Sequence, residues 1–183
     1  MDTLEFADGP AWESWLETHH DDASEAWLRI GKRNSGAPYL SIADALDGAL
    51  SFGWIDGQRR GLDEVSFLQR YSPRGRRSPW SQRNVDNAEA LIAAGRMRPA
   101  GLAAIEAAKA DGRWQRAYEP QSTAEVPAEL VAALAADEAA GAAFAKLGRS
   151  EQYLLILPLL KAGTEKSRAT AVAKAIDSLK RDE

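Results

Sequence analysis

The uneven distribution of tryptophan and alanine constrains the fold of this chain more than any other feature. All six tryptophans lie before residue 115, whereas the chain after residue 127 is rich in alanine. Residues 119–127 separate the two parts with two prolines that bracket small polar residues. Tryptophan supplies a large buried area, while alanine favours helix. We therefore expect a core domain at residues 1–118, a linker at 119–127 and a helical module at 128–183 that packs on the core domain.

The alternation of side chains in the first part indicates a small sheet. Residues 26–30 alternate with a period of two, which places Trp27 on the opposite face from the aliphatic residues beside it. Residues 54–60 and 65–72 read as two strands joined by a turn, and residues 3–6 are a shorter strand candidate.

Capping residues and apolar stripes place helices around this sheet. Asp8 and Ser41 are typical N-cap residues ahead of helical patterns. Further along, Pro99 opens a helix whose Leu102 and Ile105 we expect to face inward. The predicted fold class is α+β, with a small mixed or antiparallel sheet and helices in the N-terminal part, followed by an all-helical C-terminal third.

Composition excludes several kinds of chemistry. The chain has no cysteine, which excludes disulfides, thiolate nucleophiles and cysteine-ligated zinc. Its only histidines, His19 and His20, are adjacent in sequence, and adjacent residues at a helix end point in different directions. We therefore expect no metal site. The sequence has no glycine-rich phosphate loop and no serine nucleophile elbow, and we expect no cofactor.

The hydropathy of the chain bears on its location. No apolar run approaches the roughly 20 residues that a membrane-spanning helix needs, so we expect no membrane insertion. The first residues lack the basic and apolar regions of a secretory signal. The expected compartment is the cytoplasm.

Positive charge is concentrated in one segment of an otherwise acidic chain. Residues 59–83 contain seven arginines against Asp63 and Glu64, a net of +5, whereas the whole chain carries a net charge of −4. Arginine presents a planar fork of donors that matches carboxylate and phosphate groups. The segment is either an anion-binding surface or a set of surface ion pairs with the acidic first third. Nucleic acid is possible but less favoured as its ligand, because the chain as a whole is acidic.

The loop from Tyr71 to Trp80 is the most specific part of this segment. Two Ser-Pro steps and Gly75 prevent regular structure, and the two aromatic residues flank its arginines. Such a loop suits recognition of a phosphate, a carboxylate or a stacked base. The alternative is a loop docked on the protein's own surface, with Trp80 buried. The predicted ligand-binding residues in and around it are Trp54, Asp56, Arg70, Arg74, Trp80, Ser81 and Asn84.

Several motifs in this part of the chain occur together in a known family. They are Phe52–Gln58, Leu68–Arg74, Ser78–Asn84, Ala94–Gly101 and Gly112–Tyr118. In this order they resemble the YdeI/OmpD-associated family of small bacterial proteins, over most of residues 25–118. The chain from residue 126 is similar, more loosely, to the helical C-terminal module of that family. The resemblance implies a link to bacteriocin protection, to antimicrobial-peptide tolerance or to a porin.

Two classes of function are consistent with these residues. The first is a non-enzymatic binding and stress-tolerance protein that recognises an anionic small molecule or an acidic protein through arginine and tryptophan. The second is an enzyme that acts on a phosphorylated or carboxylated small molecule, with Asp56 as acid or base. Asp56 precedes a glycine, so it either fixes a turn through nearby amides or orients Arg70 or Arg74.

Overall fold

The computed structural model describes residues 3–181, which form four strands and eight helices. The strands are β1 (Thr3–Glu5), β2 (Ala26–Gly31), β3 (Trp54–Gly61) and β4 (Ser66–Pro73). The helices of the N-terminal part are α1 (Gly9–His19), α2 (Ile42–Ser51), α3 (Gln82–Ala93) and α4 (Pro99–Ala110). Those of the C-terminal part are α5 (Ala128–Ala136), α6 (Glu138–Lys146), α7 (Arg149–Lys161) and α8 (Glu165–Arg181). The predicted α+β class, with its all-helical C-terminal third, is confirmed.

The chain divides into two compact units. The first consists of Met1–Ser78 with Asn84–Gln115, and the second of Pro79–Arg83 with Arg116–Glu183. The short segment Pro79–Arg83 joins the second unit through an isolated bridge between Ser81 and Tyr118.

The sheet of the first unit is mixed, with the strand order β1-β2-β4-β3. Strand β1 runs parallel to β2, while β4 runs antiparallel to both β2 and β3. Strands β3 and β4 form a hairpin, so β3 lies at one edge of the sheet. The predicted strands at residues 3–6, 26–30, 54–60 and 65–72 are all present within one or two residues of their expected ends.

Side-chain caps start the first two helices, as the sequence predicts. The amide of Ala11 donates to the Asp8 carboxylate over 2.9 Å, and the amide of Asp44 donates to the Ser41 hydroxyl over 3.1 Å. Each bond satisfies one of the four donors that a helix start leaves unpaired.

The core of the first unit lies between the sheet and helices α1 and α2. Trp12 on α1 is fully buried, and its indole N–H donates to the Ala45 carbonyl of α2 over 3.1 Å. Gly48 allows this approach, since a Cβ there would stand 2.5 Å from the Trp12 ring. Trp54 completes the aromatic cluster, with its ring 6.2 Å from that of Trp12 in an edge-on arrangement. Tryptophans that lie far apart in sequence thus build one core.

Helix α4 packs against the end of α2 at an unusually close distance. A Cβ on Gly101 would lie 2.3 Å from the Ser51 carbonyl oxygen, so only glycine fits there. Ile105 is buried as the sequence predicts. The expectation that Leu102 faces inward is wrong, because it is 42% exposed. The contact surface of α4 follows Gly101, Ile105 and Ala108, so Leu102 lies one residue off that face.

The second unit has its own apolar core, made by α5, α6, α7 and α8. Leu130 and Leu159 are fully buried, and Phe144 and Ile156 pack with them. Helix α7 continues through Pro158. None of the helices in residues 3–181 combines the length and the apolar character that a membrane span requires.

Candidate functional site

Trp54, one of the predicted ligand-binding residues, lies in the core of the first unit. Its side chain is 1% exposed, and its indole N–H donates to the His20 carbonyl over 3.2 Å. At the same end of α1, the Nδ1 of His19 lies 2.8 Å from the Trp15 carbonyl oxygen and the Nδ1 of His20 lies 2.8 Å from the Leu16 carbonyl oxygen. Trp54 therefore contributes packing and a helix-end hydrogen bond.

Three other predicted residues are divided between the two units. Trp80 and Ser81 belong to the second unit, where the Tyr118 amide donates to the Trp80 carbonyl over 2.9 Å. The Trp80 side chain is buried. Asn84 belongs to the first unit, and its side chain is buried on α3.

Asp56 stands at a β-bulge on the edge strand β3. It is exposed and pairs in register with Tyr71 of β4, whose side chain lies in the core. Side chains of directly paired residues point to the same face of a sheet. Asp56 therefore lies on the helix-facing side of the sheet, whereas Arg70 lies on the other side. The register does not favour the role of Asp56 as an orienting partner for Arg70.

A buried glutamine holds the bulge. After Asp56, two residues, Gly57 and Gln58, stand against one residue of β4 before Arg59 pairs with Gln69. The Gln69 side chain is 2% exposed, and its amide N–H groups donate to the Gly57 and Gln58 carbonyls over 3.0 and 3.3 Å. Its oxygen accepts from the Nε of Arg59 over 3.1 Å. Gln69 thus replaces ladder hydrogen bonds that the extra residue interrupts.

The bulge decides which arginine reaches each face of the sheet. A shift of one residue moves every side chain after it to the opposite face. Because of the bulge, Arg59 pairs with Gln69 on the helix-facing side and Arg60 pairs with Leu68 on the other. The Arg60 guanidinium lies 4.5 Å from the ring centroid of Trp27, which is also on that other face. In an unbulged hairpin, Arg59 would take this place.

Trp27, Arg60, Arg70 and Glu25 form one cluster on this side of the sheet, which we call the Arg/Trp face. Arg70 is the direct partner of Trp27 in the β2–β4 register. Glu25 connects the two, because its carboxylate accepts from the Arg70 Nε over 2.7 Å and from the Trp27 indole over 3.1 Å. The Arg70 hydrogen bond, followed by that of Trp27, lowers the pKa of Glu25. The cluster holds two guanidinium groups beside one carboxylate.

A second arginine network borders the Arg/Trp face. Arg29 donates to Glu5 over 3.0 Å and to Asp63 over 2.5 Å, and its Nε donates to the Ser66 hydroxyl. The Ser66 hydroxyl and nearby amides, together with Arg29, lower the pKa of Asp63 to about 2. The carboxylates around Arg29 already neutralise it, so we assign this network to the stability of the β3–β4 turn.

The other arginines of the segment differ in the hydrogen bonds and ion pairs that they form within the protein. Arg74 is half-buried, and its amide donates to the Gly53 carbonyl over 3.0 Å. Arg70 pairs with Glu25. Within residues 3–181, no ion pair involves the exposed side chains of Arg59, Arg60, Arg76, Arg77 and Arg83. Most arginines of the segment therefore form no direct ion pair in the described part of the chain, although the Glu25 carboxylate lies near enough to Arg60 for the two to interact electrostatically.

Comparisons with known proteins match two segments of the chain to family models. Residues 4–104 match a model described as Domain of unknown function (DUF8412), which covers more than half of the chain. The chain belongs to the DUF8412 family. Residues 123–182 match a model described as Bacteriocin-protection, YdeI or OmpD-Associated. No curated protein and no solved structure matches the chain.

The second match confirms the resemblance to the YdeI/OmpD-associated family and locates it. It covers helices α5 to α8, whereas the motifs that suggest the family in the sequence lie mainly within residues 25–118. The DUF8412 segment contains the whole Arg/Trp face. The name of the second family suggests bacteriocin protection, and that suggestion rests on the helical segment.

Three residues of the DUF8412 segment that build the Arg/Trp face or set its register are not among the predicted site residues. They are Glu25, Trp27 and Gln69. Trp27 carries a signal in the sequence, since its place in the alternation of β2 puts it on the face away from the aliphatic core. Nothing in the sequence indicates the roles of Glu25 and Gln69, because these roles depend on contacts made across strands.

Proposed function

We propose that this protein is a non-enzymatic, cytoplasmic binding protein that recognises an anionic small molecule or an acidic partner through the Arg/Trp face. The observation that carries the proposal is Arg60, an exposed guanidinium that stacks on a tryptophan and forms no direct ion pair within residues 3–181, with the Glu25 carboxylate of the same cluster nearby. A stacked guanidinium keeps its hydrogen-bond donors at its edges available for a planar anion.

The pair of Arg70 and Glu25 supports a carboxylate or phosphate as the recognised group. Arg70 already binds a carboxylate oxygen over 2.7 Å at this face. The side chains of the pair are 34% and 40% exposed, so a ligand from solvent has access to both. An incoming anion that bridges Arg60 and Arg70 would gain two charge-assisted contacts, in competition with Glu25 for one of them.

An enzyme at the same face receives less support. The alternative role of Asp56 as acid or base requires its carboxylate to reach a ligand held by Arg60 or Arg70. The register places Asp56 on the opposite side of the sheet from both. A binding role needs only the basic and aromatic side chains. We propose that the stress tolerance implied by the name of the second family, bacteriocin protection, depends on this binding.

The test is a titration of pyrophosphate, citrate and a short glutamate-rich peptide at low and high salt. We expect one of them to bind, with affinity that falls as salt rises. Arg60→Gln should weaken binding at least about tenfold, because it removes a charge-assisted contact. Arg33→Gln is the matched control, since Arg33 is an exposed arginine of the same unit without an ion pair in the described residues. Equal losses in the two variants, or no binding by any of the three probes, would refute the proposal.

A further inference from the structure

A separate groove runs along the second unit, on the surface of the α7–α8 pair. Its volume is about 450 Å³, within the range of roughly 300–1,000 Å³ that small-molecule sites occupy. Leu154, Leu155 and Pro158 of α7 form one wall. Leu154 is 68% exposed, so its side chain is accessible from solvent.

Small side chains on α8 create the concavity. Ala171 and Ala175 lie one turn apart on α8 and form its floor, and Ser178 continues the same row. Side chains of this size cannot fill the space beside the leucines of α7. The groove is therefore formed mainly by the facing surfaces of the two helices, with Ala162 of their connection at one end.

One end of the groove, which we call the polar end, is lined by Lys161, Ser167 and Thr170. The apolar Leu154, Ala171 and Ala175 lie farther along it, with Lys174 and Ser178 beside them. The connection between α7 and α8 has only three residues, which makes the packed helices an antiparallel pair. The end of α7 therefore lies beside the start of α8, so Lys161 is close to Ser167 and Thr170 along the groove. The exposed Leu154 lies toward the other end, opposite the later turns of α8.

Two lysines provide positive charge at the groove. Lys161 and Lys174 both line it, and neither forms an ion pair within residues 3–181. The Lys161 ammonium lies 5.1 Å from the ring centroid of Tyr118, which fixes its position at the polar end. None of the carboxylates within residues 3–181 lines the groove. Its chemistry is thus complementary to an anion that carries an apolar tail.

We propose that this groove binds an aliphatic carboxylate of medium chain length. The carboxylate lies at the polar end, where Lys161 donates to it, with Lys174 as a second cation. The Ser167 and Thr170 hydroxyls at this end donate to the Thr164 and Lys166 carbonyls. The alkyl chain runs along Ala171 and Ala175 and covers Leu154. The site lies within the segment that matches the bacteriocin-protection family, and it is independent of the Arg/Trp face.

The experiment is a calorimetric or NMR titration of the full chain with decanoate, below the concentration at which it forms micelles. Decanol tests the need for charge and butyrate tests the need for the tail, and both should bind at least about tenfold more weakly. Lys161→Gln should cause a similar loss. Lys166→Gln, on an exposed lysine of the same helix that does not line the groove, should leave the affinity unchanged.

A second pair of variants tests the apolar end. Leu154→Glu should abolish decanoate binding, while Val131→Glu, at another apolar residue that is 52% exposed, should not. Both changes are at exposed positions, so the melting temperature should stay close to that of the unmodified protein. The proposal is overturned if decanoate fails to bind, if decanol binds equally well, or if Leu154→Glu retains binding. Loss of decanoate binding in Arg60→Gln would also overturn it, by placing the ligand on the Arg/Trp face. Binding only of an acidic amphipathic helix, without decanoate, would make the groove a peptide site instead.

Discussion

Replacing Gln69 with leucine tests whether the β-bulge is held by one buried side chain. The change removes the hydrogen bonds that Gln69 donates to the Gly57, Gln58 and Arg70 carbonyls and the one that it accepts from Arg59. Gly57, Gln58 and Arg59 are exposed, so water can replace part of what is lost. At about 0.5–1.5 kcal/mol for each hydrogen bond, we expect the free energy of unfolding to fall by about 1–3 kcal/mol.

Urea denaturation followed by tryptophan fluorescence measures this loss, with Gln58→Leu as the matched control. Gln58 is an exposed amide on the same bulge, so its replacement should change stability by less than about 0.5 kcal/mol. Because the bulge sets the register that places Arg60 over Trp27, Gln69→Leu should also weaken binding of the anion identified for the Arg/Trp face. A stability loss below about 0.5 kcal/mol would show that the bulge does not depend on Gln69.

Three further changes follow from the same contacts. Glu25→Gln should strengthen anion binding at the Arg/Trp face, because it removes the carboxylate that competes for Arg70. Arg70 lowers the pKa of Glu25 below its ordinary value of 4.5. The ion pair therefore stabilises the fold above pH 4.5, and this stabilisation is lost as the pH falls through the lowered pKa. As the pH falls through that range, anion affinity should rise in the unmodified protein and stay constant in Glu25→Gln. Gly101→Ala should lower the melting temperature, since its Cβ would meet the Ser51 carbonyl at 2.3 Å, and a melt unchanged from the original would contradict that packing. A fragment that ends at residue 119 should melt below the full chain if the helical module packs on the core domain, and equal melting would refute that expectation.

Local sequence rules account for most of the fold. The caps at Asp8 and Ser41 depend on the side chain and on the few residues that follow it, so the sequence states them directly. Strand β2 is predicted equally well, because the alternation of its side chains in the sequence matches the two faces of the strand in the sheet. The error at Leu102 has a different origin. The face that α4 buries is set by the close approach at Gly101, and periodicity alone does not say which of two adjacent stripes meets α2.

The candidate site is harder to predict from the sequence, because it depends on the register in which the strands pair. Aromatic residues near the arginines in sequence suggest a site with Trp54 and Trp80, yet Trp54 belongs to the core of the first unit and Trp80 to the second unit. The tryptophan that meets an arginine on the sheet is Trp27, more than thirty positions before Arg60. Cross-strand pairs of this kind follow from the pairing of strands and its irregularities, which no local pattern in the sequence encodes.

The bulge shows how one residue can decide the function of two neighbours. Arg59 and Arg60 are the same amino acid side by side, so composition and charge cannot distinguish them. The extra residue at Gly57–Gln58 directs Arg59 to Gln69 and leaves Arg60 on the other face with Trp27. Bulges next to functional residues commonly re-aim a side chain in this way. If the Arg/Trp face binds an anion, the glycine and the buried glutamine are therefore as necessary to it as the arginine that makes the contact.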